Sequence, residues 1–398
     1  MRIEQHKQIE VVRDYDVAVC GGGFGGIAAA LAAARQGKRV VLFEKQFLLG
    51  GLGTAGIVTI YLPLCDGYGR QVSFGIVEEL LRLSIEHGAE EDLPEHWKRE
   101  DLPRTEHNAR LQVRYNPQLF AMAVEQLLAD TGVDIVYGTY VTGVRMEKDA
   151  ITHLIVENKT GCTAYGVRSV VDATGDADIA KFANVPTDTF KQGNVLAAWY
   201  YAVGKAGYDL VPLGYADVPD EEKEPDAKTE TLVNRRFTGL DGEELSEQTQ
   251  LSHQQTFADV LQKRKQDPTY LPVTVATTPQ VRMTRKIVGE YVLAAQEMHT
   301  RFDDSIGMVS NWKKRGPVYE VPYRTLYSAA VKNLIFAGRC TSVDETLWDV
   351  MRVIPCCAVT GQAAGTAAAM TDRFATLDVS TLQRQLTRDG VKLHESDL

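Results

Sequence analysis

Gly21, Gly23 and Gly26 stand at the spacing Gly-x-Gly-x-x-Gly, between an apolar run and an alanine-rich one. Between a strand and a helix, that spacing does anion chemistry. Gly21 permits the tight turn, Gly23 lets the backbone approach a pyrophosphate, and Gly26 lets helix and strand pack closely. The free N–H groups of the helix N-terminus then face the phosphates. Glu44 follows eighteen residues past Gly26, at the tip of the next apolar run. A carboxylate there accepts both hydroxyls of a ribose and repels a 2′-phosphate. A structural glycine turn is the competing reading, and the strand, helix, strand and acid in order weigh against it.

A second glycine-rich segment, residues 50–56, begins six residues beyond Glu44. A nicotinamide-binding domain has no evident use for it. A flavin dinucleotide is longer, and its ribityl and isoalloxazine parts need another close backbone approach. Two further segments agree: Val-Asp-Ala-Thr-Gly-Asp at 171–176 and Phe-Ala-Gly-Arg-Cys at 336–340. Both read as strand ends, far apart in sequence, which a split flavin domain would bring together.

With these motifs the chain resembles the two-dinucleotide-binding-domain flavoproteins, and within them the FAD-dependent oxidoreductase family. The resembling segments are 16–56, 137–183, 282–291 and 321–370, about half the chain. The resemblance implies one FAD. Gly21, Gly23 and Gly26 would cradle its pyrophosphate, Glu44 would hold the adenosine ribose, and Lys45 would border the adenine. Gly50, Gly51 and Thr54 would line the flavin. Val141 matches a backbone contact to adenine, and Ala173 and Gly175 close the nucleotide end. Gly338 and Arg339 match a second pyrophosphate and ribityl segment. Arg352 opens the stretch to Gly361, which in such folds points a helix N-terminus at the flavin pyrimidine edge, where its dipole favours an anionic reduced flavin. The chain departs from the family where His is frequent: Glu345 stands at one such place, and Asn311, Trp312 and Lys313 replace an Asp-x-His pair. One Gly-x-Gly-x-x-Gly unit and no Cys-x-x-Cys set it apart from the disulfide reductases of the superfamily.

Catalytic candidates are fewer: Arg285, Glu345 and Arg352. Flavin N5 exchanges a hydride, so the protein must position a substrate and supply a proton partner. Arg282 and Arg285 flank Thr284 and match a family motif of paired arginines. They would anchor a substrate carboxylate or carbonyl oxygen, or else form an interdomain salt bridge. Glu345 is a candidate proton acceptor or a structural carboxylate. Tyr319 and Tyr323 read as wall residues, Trp199, Tyr200 and Tyr201 as strand core, and His253 as solvated. Cys356 and Cys357 read as buried small residues rather than a redox pair. The expected function is an FAD-dependent dehydrogenase or reductase moving a hydride between flavin N5 and a small organic substrate. The alternatives are an FAD monooxygenase requiring NAD(P)H and a non-catalytic FAD-binding scaffold subunit.

The elements that must position these residues follow from periodicity. Residues 11–19, 39–43, 133–136, 140–146, 151–157 and 167–172 read as strands, and 117–129 and 355–369 as helices. Apolar spacing from Val72 to Leu83 predicts a helix over 71–87, and another is expected at 247–265. Residues 90–105 and 220–226 read as charged surface loops. The expected fold is α/β: a Rossmann-like FAD-binding domain, with a parallel sheet, helices and a small antiparallel sheet, split by an inserted α+β substrate lobe. Residues 1–186 and 321–398 form the FAD domain and 187–320 the insert. Formal charge of −10, from 43 basic and 53 acidic residues, argues against nucleic acid. The polar residues 1–12 do not suit a signal peptide, and the run 27–34 is too short to span a bilayer. The expectation is a cytoplasmic, metal-free protein with an unidentified electron donor or acceptor. Homo-oligomerisation is left open.

Overall fold

The computed structural model describes residues 6–88, 112–214 and 231–398. The loops expected at 90–105 and 220–226 lie outside the described residues.

Strand β1 (Glu10–Cys20), helix α1 (Phe24–Arg35) and strand β2 (Val40–Phe43) form the opening unit. From Val17 to Cys20 β1 is buried on both sides: Val17 and Val19 enter one apolar cluster, Ala18 and Cys20 the other, while residues 10–14 are exposed. That is the pattern of a strand with both faces covered. β2 and the strand Gly161–Asp172 flank β1 in parallel. Val133–Val136 extends the sheet beyond β2.

The expected small antiparallel set is continuous with the parallel one. Gly161–Asp172 is long enough to serve both: residues 161–166 pair antiparallel with Ala150–Asn158, and Val170–Asp172 pair in parallel with Leu334–Phe336. Tyr140–Glu147 closes that edge of a seven-stranded sheet.

α1 is buried almost all round, which its alanines permit. It lies against the helix Ile354–Met370 at backbone contact. A Cβ on Gly361 would sit 2.2 Å from the Gly25 carbonyl oxygen, and one on Gly365 2.1 Å from that of Ala29. These glycines set the spacing of the two helices whose N-termini face the site.

The helix expected from residue 71 starts at Ile76. Gly75 adopts a left-handed φ of 89°, and the Ile76 N–H donates to the Gln362 side chain at 2.8 Å. The helix thus begins where a tertiary hydrogen bond replaces a cap, which no local pattern announces. Two helices at Glu345–Met351 and Val379–Arg388 were not foreseen.

The inserted lobe centres on an antiparallel sheet in the order Gly207–Val211, Tyr200–Gly204, Leu271–Val275. The helix Gly242–Arg264, capped by Asp241, packs on one face through Val260 against Tyr200 and Ala202. Tyr201 packs on the other face with Ile57 and Leu210. A ribbon of Ser305–Ser310 and Val318–Pro322 instead joins the main core, through Ile306, Val309 and Val321. Among the described residues no single helix is long and apolar enough to cross a membrane.

Candidate functional site

The turn between β1 and α1 opens onto a groove. A Cβ on Gly21 would lie 2.5 Å from the Ala173 carbonyl oxygen, and one on Gly26 1.8 Å from that of Gly21, so both positions are closed to side chains. Gly21 also holds φ at +104°. At Gly23 a Cβ would meet nothing within 4 Å. Gly23 caps α1 without any side-chain bond, so the first-turn N–H groups point to the same space. This is a cradle for a pyrophosphate, with its open volume at the glycine where a ligand must come closest.

At one end stands Glu44. It is buried at 5% exposure, yet it lines the groove. Its two oxygens accept from the N–H groups of Gly22 and Gln46, each at 2.7 Å. Those bonds fix the carboxylate and leave lone pairs for a ribose. Burial pushes its pKa up, against the pull of these backbone donors. Lys45, Tyr140, Val141 and Ala173 complete that end.

The second glycine segment is stapled to the first by a bond from the Gly50 N–H to the Gly22 carbonyl, 2.8 Å long. A Cβ on Gly51 would fall 3.3 Å from Gly23 Cα. From the far end of the sequence, Gly338 brings its Cα to 3.2 Å from where a Cβ on Gly25 would lie. Three glycine segments therefore converge on one groove.

The other end is built by Leu52, Gly53, Arg352, Ile354 and Cys357, with Leu245, Thr278, Pro279 and Val281 from the lobe. The lobe loop is tied down by the Thr277 N–H to the Ala55 carbonyl at 2.8 Å. Ile354 and Cys357 belong to the first turn of Ile354–Met370, which has no side-chain cap. Burial pushes the Cys357 thiol up to about 12, with the cations Arg339 and Arg352 pulling the other way. Arg339 bridges the two parts of the molecule: it donates to the carbonyls of Val281 and Arg282 at 3.2 and 2.9 Å, and pairs with Asp176 at 3.1 Å.

Of the residues singled out by sequence, Gly21, Gly23, Glu44, Lys45, Gly50, Gly51, Val141, Ala173, Gly175, Gly338, Arg339 and Arg352 line this groove. Gly26 lies beneath the turn. Thr54 is fully buried and bonds back to the Leu49 carbonyl, so it shapes the loop instead of facing the groove. Gly361, expected among the cofactor contacts, is a helix-packing glycine. Arg285 and Glu345 are not brought together at the groove. Arg285 pairs with Asp178 at 2.8 Å and donates to the Asp176 carbonyl at 2.9 Å, the interdomain bridge that was its second reading. Glu345 begins a helix away from the groove lining and accepts from the Lys191 N–H at 3.3 Å. Sequence reasoning missed Leu245, Thr278, Pro279 and Val281. No motif marks them; only the packing of the lobe brings them in.

The family model described as FAD dependent oxidoreductase matches residues 16–197 and 188–386, and the chain belongs to that family. Shorter matches link it to thioredoxin reductase of Ureaplasma parvum serovar 3, 34% identical over 71 residues, 18% of this chain and 23% of that protein. The tRNA uridine 5-carboxymethylaminomethyl modification enzyme MnmG of Treponema pallidum is 28% identical over 202 residues, 48% of this chain and 28% of that protein. The chain thus matches less than a third of the length of either relative. Among solved structures, p-nitrophenol 4-monooxygenase PnpA of Pseudomonas putida DLL-E4 is 11% identical with a TM-score of 0.42, over 96% of this chain and 82% of that one. A flavocytochrome c3 fumarate reductase is 15% identical with a TM-score of 0.44, over 90% and 79%. The family to which the chain belongs is thus one of FAD-dependent oxidoreductases.

Proposed function

We propose that the groove holds one FAD with its adenosine at Glu44 and Val141, its pyrophosphate over Gly23 and Gly338, and its isoalloxazine between Leu52–Gly53 and the first turn of Ile354–Met370. The observation that carries this reading is the convergence of three glycine segments on one groove, with open space at Gly23. When bound, the flavin supplies two-electron exchange. The chain's own residues do the rest. Glu44 orients the ribose, the two helix N-termini face the anionic parts, and Arg339 and Arg352 supply fixed positive charge.

The substrate, a small organic molecule, enters from the lobe side, against Leu245, Thr278 and Pro279. Pockets form where domains meet, and the lobe supplies these residues to the groove lining. Arg285 and Glu345 act in this reading as structural groups, one joining the lobe to the cofactor domain and one holding the backbone N–H of Lys191.

Anaerobic mixing with candidate substrates tests the reading. Flavin bleaching by substrate alone identifies a dehydrogenase. Bleaching by NAD(P)H, followed by oxygen-dependent product, identifies a monooxygenase. A loaded flavin that neither reduces identifies the scaffold role and removes the catalytic reading.

A further inference from the structure

The hairpin tip at 311–315 reaches the helix that carries Arg352. Lys313 Nζ lies 2.8 Å from the Asp349 carboxylate, whose side chain is fully buried. The Trp312 indole N–H donates to the Asp349 backbone carbonyl at 2.9 Å. The tip is itself rigid, because the buried Asn311 side chain accepts from the N–H groups of Lys313 and Lys314 at 2.9 and 3.0 Å. On the other side of the helix, the Trp348 indole N–H donates to the Arg339 carbonyl at 2.7 Å. The helix Glu345–Met351 ends at Arg352, its C-cap, which lines the groove. Its last turn is therefore clamped between the hairpin and Arg339, the other groove cation.

A buried ion pair is a poor source of stability. Desolvating each charge costs several kcal/mol, and apolar residues of the same volume often serve as well or better. What the pair adds is charge balance at a fixed place. Asp349 stands three residues before Arg352, within one helical turn. Without Lys313, its carboxylate would set a buried negative charge within one helical turn of Arg352, where the low dielectric lets charge act strongly.

Resting on the flavin placement proposed above, we infer that Lys313 and Asp349 act through Arg352: Lys313 balances the buried Asp349 charge so that Arg352 keeps its positive charge at the groove, and the pair thereby sets the redox potential of the flavin bound there. The test is the two-electron midpoint potential of the bound FAD, measured by dye equilibration on the flavin-loaded protein. Lys313→Met retains FAD and weakens binding of reduced relative to oxidised flavin about tenfold, a fall of about 30 mV. Lys313→Arg stays at the wild-type potential, and the neutral double variant Lys313→Met with Asp349→Leu returns to it. A merely structural pair would not give that restoration. An unchanged potential in Lys313→Met, or a double variant as low as the single one, overturns the inference. If Lys313→Met does not fold, Asp349→Asn must raise the potential, and an unchanged or lower value overturns it equally. Arg352→Met serves as the control: a lowered potential there with none in Lys313→Met overturns this inference alone. A wild-type potential in Arg352→Met overturns the flavin placement as well.

Discussion

The two ends of the groove are built differently. The adenosine end comes mostly from one continuous β-turn-α-β unit, with Gly21, Gly23, Gly26 and Glu44 within about thirty residues. The flavin and substrate end is assembled from residues 50–53, 245, 278–281, 339 and 352–357, and no two of these segments are neighbours in sequence. Local spacing suffices for a task that backbone N–H groups perform. Holding a reactive ring against a substrate takes side chains from several layers. The first end should therefore respond to single changes in a way the sequence foretells, and the second in ways only the packing foretells.

The largest effect is expected at Gly23. A Cβ at Gly23 would meet nothing within 4 Å, so Gly23→Val puts its branched side chain into the open space beside the turn and should abolish FAD retention while leaving the fold intact by circular dichroism. A variant that loads FAD like the wild type would move the pyrophosphate elsewhere.

Next comes Glu44. Glu44→Ala should weaken FAD binding by about 1.5–3 kcal/mol, the range for hydrogen bonds to a charged group. The same residue gives a pH dependence. Its pKa is raised by burial, and the charged form is the better acceptor. FAD affinity from this group is therefore full at neutral pH and lost as pH falls, beginning above the ordinary carboxylate range of about 4–4.5. Equilibrium dialysis across pH 4 to 7 measures it. In Glu44→Gln that acid-side loss should disappear, and its persistence would assign it to another group.

At the other end, Arg285→Lys and Glu345→Gln should each leave the rate of substrate-driven flavin reduction within about threefold of wild type, far short of the roughly 10²–10⁴-fold cost of losing a general acid or base. A loss of that larger size in Glu345→Gln would restore Glu345 to the active site. The smallest effect concerns Cys357. With its thiol pushed up to about 12, it should resist iodoacetamide at pH 8 in the folded protein. Rapid labelling, read by mass spectrometry, would mark a thiolate and a redox role for the Cys356–Cys357 pair.

The same contrast explains what the sequence made legible. β1, α1 and β2 were readable because each repeats a strong local pattern and the glycines between them have one geometric reason to be there. Gly338 and Arg339 were found through a strand-end signature, since a strand entering glycine keeps its character wherever the chain returns to the sheet. Gly361 was misassigned because a glycine that admits a neighbouring helix and one that admits a ligand look alike in sequence; only the 2.2 Å approach to the Gly25 carbonyl tells them apart. Arg285 and Glu345 were chosen by residue type near a motif. Type cannot tell that Asp178 takes the guanidinium or that Lys191 faces the carboxylate. Thr278 and Pro279 fall in no motif that would draw notice, and their place in the groove follows from a backbone bond between Thr277 and Ala55.

The central claim is that these glycine segments enclose one flavin adenine dinucleotide. It is tested most directly by purifying the protein, releasing any chromophore by heat, and identifying it by chromatography and mass, with stoichiometry against protein. The account predicts a yellow protein carrying FAD at about one per chain, or a colourless one that takes up FAD to that ratio on reconstitution. Release of FMN, or a folded protein that binds no FAD at any concentration offered, would contradict it.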